Sequence, residues 1–195
     1  MTMDNGARSV GCELVKGSIG RQAAPTGGLI PNDPDAGADT GAVFREGMRK
    51  VASSVAVVTA SFEGTRRGLT ATAICSVSAE PPMLAVCINK SSSAHEVISL
   101  ASFFAVNILD ASQMPIADAF GGRASPEQRF ATGEWRQGET GAPVLRGAVV
   151  TFECELTTIV DAASHTMFMG LVRAVHSSAA TDPLLYHDRR YRHCS

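Results

Sequence analysis

Two stretches near the C-terminus alternate apolar and polar residues for longer than any helix would tolerate. Ala148–Val160 puts Val150, Phe152, Cys154 and Leu156 on one face, and His165–Val175 carries the same period of two. Such segments predict long strands. Upstream, Ser54–Phe62, residues 67–78, Met83–Asn89 and Phe103–Leu109 read as further strands, punctuated by Glu63-Gly64-Thr65 and by Pro81-Pro82. Helices are few and short. Phe44, Met48 and Val51 lie at i, i+4, i+7. Ser93-Ala-His-Glu96 has capping-box spacing, with Ala94, Val97, Ile98 and Ala101 behind it, and Ser112 can cap a helix that holds Pro115 and ends at Phe120-Gly121-Gly122. Residues 123–147 read as one long loop, a kind that is usually functional or mobile. The pattern predicts a mainly β fold, a closed antiparallel barrel with a few short helices, rather than a parallel α/β sheet.

The chain has 195 residues, a single-domain length with room for a tail. All eleven aromatic residues lie at or after Phe44, whereas the first forty-three positions hold eight of the eighteen glycines. A segment without large side chains cannot offset its ordering entropy. Residues 1 to about 40 are therefore expected to form a disordered extension and residues 41–195 the domain. Hydrophobic residues make up 45% and charged ones 18%, enough for a sizeable core. A net charge of −2 removes the electrostatic case for nucleic acid binding. Five cysteines without CxxC spacing argue against a disulfide framework and a zinc cluster, and for free thiols in a reducing compartment. No 18-residue apolar run predicts a membrane span, and the first thirty residues lack a secretory signal. A soluble cytoplasmic protein is the expectation.

Several chemistries are missing. There is no G-x-G-x-x-G after a strand, no P-loop and no G-x-S-x-G elbow. His95-Glu96-Val97-Ile98-Ser99 begins like a zinc-protease motif but ends in Ser, so no metal is expected. A chain so poor in acid–base groups suits a cofactor that brings its own reactivity. Three segments offer suitable groups. Gly68–Ser78 carries small residues and the hydroxyls of Thr70, Thr72, Ser76 and Ser78. They would let a flat ring approach the backbone, although hydroxyls also suit a solvated strand face. Asn89-Lys90-Ser91-Ser92-Ser93 runs into a helix start, where N–H groups, hydroxyls and an ammonium suit a phosphate; capping alone would account for Ser93. Ser164-His165-Thr166 offers an imidazole at the head of a long strand.

Read together, these segments resemble the flavin reductase family, the small reductase components of two-component flavin-dependent monooxygenases. The resemblance spans about residues 42–191. Its motifs are Phe44-Arg45-x-x-Met48, Ser54-Val-Ala-Val-Val-Thr59, Gly68-Leu-Thr-Ala-Thr72, Ser76-Val-Ser-Ala-Glu-Pro-Pro82, Asn89-Lys-Ser-Ser92 and Phe104-Ala-Val-Asn-Ile-Leu109. Further along come Phe120, Arg129-Phe-Ala131, Gly141-Ala-Pro-Val-Leu145, Phe152-Glu-Cys154, His165-Thr166 and Pro183-Leu-Leu-Tyr186. The resemblance implies an FMN-binding split β-barrel of Greek-key type, a homodimer with flavin near the subunit interface, and hydride transfer from NADH or NADPH to FMN or FAD. It also implies a partner monooxygenase that receives the reduced flavin.

Carried over, Gly68, Leu69, Thr70, Thr72 and Ala73, with Ser76, Val77 and Ser78, would border the ring and ribityl chain. Asn89, Lys90, Ser91, Ser92 and Ser93 would hold the phosphate end, and Ala119 and Phe120 would lie on the flavin's other side. Arg129 would serve its phosphate or adenylate. His165 would stand beside the nicotinamide as the catalytic residue, with Tyr191 or Tyr186 near it. Family members commonly carry an acidic residue where this chain has Ser164, and many carry Asn where it has Thr72. Two other readings remain open: a flavoprotein with tightly bound flavin reducing another acceptor, and a non-catalytic flavin-binding module, which Ser164 would favour.

Overall fold

The two alternating segments form β9 (Val150–Ala162) and β10 (His165–Ser177), antiparallel from His165 opposite Ala162 to Ser177 opposite Val150. The structure is a computed structural model that describes residues 38–179 and 182–194. The expected extension lies outside them but for its last three residues.

The other strands of the main sheet are β2 (Ala56–Phe62), β3 (Thr65–Ala71), β4 (Ile74–Ala79), β5 (Pro82–Asn89) and β6 (Phe103–Ile108). Seven strands run antiparallel in the order β3-β2-β6-β9-β10-β5-β4. The fold is mainly β with a few short helices. Residues 67–78, expected as one strand, form two that occupy opposite ends of this ladder. Only Thr72 and Ala73 separate them, in a tight turn where the Ile74 N–H donates to the Thr72 carbonyl at 3.1 Å. Neither Gly nor Pro marks the break, so the sequence pattern runs straight through it.

One face of the sheet carries the main core, with Val58, Val86, Ile88, Phe104, Val106, Cys154 and Phe168 at its centre. Helix α2 (His95–Leu100) covers that face with Ile98. The expected Ser93–Glu96 capping box does not form. The helix begins one residue later, at the Ala94 cap, and the Ser92 hydroxyl accepts the Ala94 N–H at 3.3 Å. The next helical segment is capped two residues earlier than expected. Asp110, not Ser112, takes the cap: its carboxylate accepts the Ser112 N–H, and the Gln113 side chain accepts the Asp110 N–H. A 3₁₀ turn, Ala111–Gln113, then leads into α3 (Met114–Asp118) and a wide turn over Ala119–Arg123.

Val57 on the second face of β2, and Val55 just ahead of that strand, pack in a cluster with Ile116, Ala117, Phe120 and Leu145. Gly68 of β3 is fixed by this packing. A Cβ there would fall 2.8 Å from the Phe120 ring and 3.0 Å from the Val58 carbonyl oxygen. Phe120 is 2% exposed and stacks with Phe130 and Trp135, each ring centroid 5.1 Å from the next.

Residues 123–147, expected as one long loop, are largely structured. They hold a 3₁₀ turn at Arg129–Ala131 and the hairpin of β7 (Trp135–Gln137) and β8 (Pro143–Leu145). This strap covers the polar face of β9. That face therefore carries buried Thr151 and Glu153, which the alternation alone would have put in water. Glu153 is fully buried. Its carboxylate accepts the Glu139 N–H at 3.0 Å, the Thr140 N–H at 2.7 Å, the Thr140 hydroxyl at 2.6 Å and His176 Nε2 at 2.6 Å. A carboxylate can only accept, so Nε2 carries the proton. Gly138 makes this approach possible, since a Cβ there would lie 2.4 Å from Oε1.

At the N-terminal end, α1 (Ala38–Arg49) keeps the expected stripe but does not bury it: Phe44 is 66% exposed, and Val51 lies beyond the helix. Three short strands that the sequence reading did not anticipate form a separate sheet: β1 (Ser53–Ser54), β11 (Leu185–His187) and β12 (Arg190–Arg192). No helix among the described residues is long and apolar enough to cross a membrane.

Two predictions follow from the packing. Burial pushes the Glu153 carboxyl up, but its hydrogen bonds outweigh burial and hold it below its ordinary value of 4.5. Its stabilisation is thus complete above that value and is lost as pH falls through the lower folded value. Glu153→Gln should cost about 1–3 kcal/mol in urea unfolding at neutral pH and flatten the acid limb of stability below pH 4.5; an unchanged acid limb would disprove the anchor. Gly68→Ala should cost about 1–3 kcal/mol through overlap with Phe120 and Val58, and Gly68→Ala with Phe120→Leu should recover part of it.

Candidate functional site

The expected site residues fall into three neighbourhoods. The first is a groove of about 330 Å³ at the break between β3 and β4, lined by Ser53, Ser54, Thr72, Ile74, Cys75 and Ser76 with Ala52 and Ile108. No charged side chain lines it. The hydroxyls of Ser53, Ser54, Thr72 and Ser76 make no hydrogen bond among the described residues, so all four remain available to a ligand. Ser53 went unremarked in the sequence and Ser54 was noted only as the start of a strand and motif; their signal was a Ser pair just ahead of a buried strand. Ala73 is exposed, but its carbonyl accepts the Cys87 N–H. Val77 is exposed at a bulge in β4, and Ser78 sits half-buried opposite Met83.

Other members of the first segment are already committed. Leu69 points into the core, Gly68 is pressed against Phe120, and the Thr70 hydroxyl donates to the Ala117 carbonyl at 2.7 Å. Ala119 and Phe120 are both buried. The ring that lies on Gly68 is thus the chain's own.

The second neighbourhood joins the phosphate candidates to Arg129. Asn89 ends β5, and its Oδ1 accepts the Ser91 N–H and the Ser91 hydroxyl, each at 2.8 Å. This turn leads through Ser92 to Ser93. Arg129 reaches in from the strap: its guanidinium donates to the Gly68 carbonyl at 2.8 Å and to the Ser93 hydroxyl at 3.4 Å. Burial lowers the Arg129 pKa and Arg67 lowers it further, although it stays charged at any ordinary pH. Lys90 instead leans outward, its ammonium 2.8 Å from Asp161 near the end of β9. That pair, with its hydrogen bond first, holds the Asp161 carboxyl below its ordinary range.

The third neighbourhood is His165 itself. It lies directly opposite Asn89 in the β10–β5 ladder, and the Lys90 N–H donates to the Ser164 carbonyl. Because Cys87 pairs with Ala73 through the next strand, His165, Asn89 and the Thr72–Ala73 break share one end of the sheet. The His165 ring is half-exposed, and its Nδ1 lies 2.9 Å from the Ser164 hydroxyl. The residue that departs from the family pattern therefore still orients the imidazole. Tyr191 lies elsewhere. Its ring centroid is 5.6 Å from that of Tyr186; burial pushes its phenol up, and the charge of Asp118 adds to this. Among the described residues no hydrogen bond or ring contact joins Tyr191 to His165.

Residues 48–195 match the family described as flavin reductase like domain. The FMN reductase (NADH) RutF 1 of Methylorubrum extorquens is 43% identical over 151 residues, 77% of this chain and 75% of that protein. Among solved structures, the Streptomyces globisporus NADH:FAD oxidoreductase SgcE6, in complex with NAD and FAD fragments, superposes with a TM-score of 0.74 at 30% identity. The match covers 80% of this chain and 94% of that one. BorF, the flavin reductase component of a bacterial two-component tryptophan halogenase, gives 0.72 at 30% identity over 78% and 97%. With residues 48–195 matching that domain and a relative 43% identical over 77% of its length, the chain belongs to the flavin reductase family.

Proposed function

We propose that this chain is an NADH-dependent flavin reductase that passes reduced flavin to a partner monooxygenase. The observation that carries the reading is the uncharged groove at Thr72 with its four uncommitted hydroxyls. Its volume lies within the range of small-molecule sites, and a flat, largely apolar ring with polar edges fits such a lining. Flavin, when bound, accepts two electrons and a proton's worth of hydrogen from the nicotinamide. The chain's own residues hold and orient: Thr72, Ser76 and Ser53 at the ring, and the Asn89–Ser93 turn with Arg129 at the phosphate. No side chain needs to ionise in that groove, so backbone and hydroxyl dipoles suffice to favour the reduced ring. His165, steadied by Ser164, is the candidate group beside the nicotinamide.

The sequence relatives and the solved structures named above support both the nicotinamide and the flavin. The BorF likeness supports a separate oxygenase or halogenase as recipient. Ser164 no longer favours a non-catalytic module, because its hydroxyl holds the histidine that an acidic residue would otherwise hold.

Connectivity supports a closed, split barrel. Two intervening residues let Ala71 and Ile74 lie at most roughly 11 Å apart, whereas the outer strands of a flat seven-stranded sheet would stand about 29 Å apart. A homodimer is supported by the outward face of β5 and β10. There half-buried Met83, Cys87, Met167 and Met169 share one face of the two paired strands. The free thiols of Cys75, Cys87, Cys154 and Cys194 suit a reducing compartment such as the cytoplasm. We read residues 41–195 as the domain and the residues before them as an extension to it.

A steady-state assay crossing NADH and NADPH with FMN and FAD tests the reading. Oxidation of NADH that depends on added flavin is expected; none with either flavin would overturn it. His165→Ala should lower kcat for NADH oxidation about tenfold or more while the Kd for FMN, from fluorescence quenching, changes less than about twofold. Parallel loss of flavin binding would remove His165 from that role.

A further inference from the structure

A second groove, of about 340 Å³, adjoins the first, and Ser53 and Thr72 line both. Its character is different. Phe44, Met48 and Tyr186 give it an exposed apolar floor, and Arg45, Arg49, Asp188 and Arg189 stand around it with His187. Arg49 is paired with Glu46, whereas Arg45 makes no ion pair or hydrogen bond among the described residues. The Asp188 N–H donates to the Arg49 carbonyl at 2.9 Å, which ties the β11–β12 turn to the end of α1.

That turn is strained at the residue that matters. His187 pairs with Arg190, so Asp188 and Arg189 form a two-residue hairpin loop, with φ of 48° and 60°. Such a loop needs left-handed backbone at both positions and favours glycine at the second. Arginine there bears a steric cost that glycine would not. Strain of this kind at a groove wall is a mark of a side chain that does something. Arg189 and the uncommitted Arg45 both line this groove with Phe44, Met48 and Tyr186, next to the first groove.

We propose that Arg189, with Arg45, binds the diphosphate of NADH and so orients the dinucleotide toward the ring in the adjoining groove. The inference rests on the flavin reductase reading. Two guanidinium groups match a diphosphate in charge and in planar hydrogen-bonding geometry, and the aromatic floor of Phe44 and Tyr186 offers a face to an adenine or nicotinamide ring. Arg189 is a binding residue in this account and takes no part in hydride movement.

Arg189→Gly in the full chain is the test, because it removes the cation while relaxing the turn. Thermal stability should hold or rise. The KM for NADH should increase about tenfold, accounting for most of the loss in kcat/KM, while the Kd for FMN stays within about twofold. Binding of ADP-ribose, measured by calorimetry, should weaken by the same factor, and Arg189→Lys should restore part of it. Arg45→Met should weaken ADP-ribose in the same direction. Unchanged ADP-ribose affinity in Arg189→Gly overturns the proposal, and so does a loss of FMN affinity in place of NADH affinity. If the parent chain oxidises NADH but Arg189→Gly leaves its KM alone, only this proposal fails. If the parent oxidises no NADH at all, the function proposed above fails, and ADP-ribose binding still decides this one.

Discussion

Two residues tether the outermost strands of a seven-stranded sheet to each other. Thr72 and Ala73 leave β3 no freedom to lie far from β4, although every ladder hydrogen bond between them runs the long way through five other strands. The consequences spread outward. The opening at that tether is where the uncharged groove lies, and the β10–β5 ladder delivers His165 and the Asn89 turn to the same end. Site and sheet are thus set by one short connection rather than by any single strong contact.

Polar groups are divided by the same economy. Among the described residues no buried side-chain nitrogen or oxygen lacks a partner. Thr70 and Ser91 donate their hydroxyls to the chain, and Arg129 joins β3 to the turn after β5 through Nη1, which leaves its Nη2 and the Ser93 hydroxyl proton without a partner among the described residues. Further uncommitted groups line two adjoining grooves, one with hydroxyls and no charged side chain, the other with arginines beside Phe44 and Tyr186. This separation is chemically sensible. A redox ring is best placed where no fixed ion biases it, and an anionic tail where cations are close.

Strands in the sequence were legible wherever one face is apolar and the other wet, as in β10. The alternation failed where both faces are covered, because Glu153 looks like a solvated residue until the strap is placed over it. Breaks were legible where Pro or Gly marked them and illegible at Thr72–Ala73, which carries neither. Caps were displaced by one or two residues, since Ser92 and Asp110 compete with equally good Ser neighbours nearby. Of the candidate site, the hydroxyl-rich and Ser-rich segments were legible as groups suited to a ligand, and a role for His165 came only from the family resemblance. Their division of labour did not show, because whether Thr70 or Thr72 faces a ligand depends on a contact with Ala117 made 47 positions away. Arg189 gave no signal in sequence at all; its meaning comes from backbone angles.

The carboxylate of Glu153 has a further bearing on how such a protein can diversify. A strap fastened from beneath by three hydrogen bonds to Glu153 does not depend on its outward side chains for its course. Arg136, Gln137 and Glu139 are exposed on it and can be exchanged without disturbing the backbone that carries them. The molecule thus has a rigid mounting with a replaceable outer surface, on which recognition of different companions could be rewritten while the sheet beneath stays as it is.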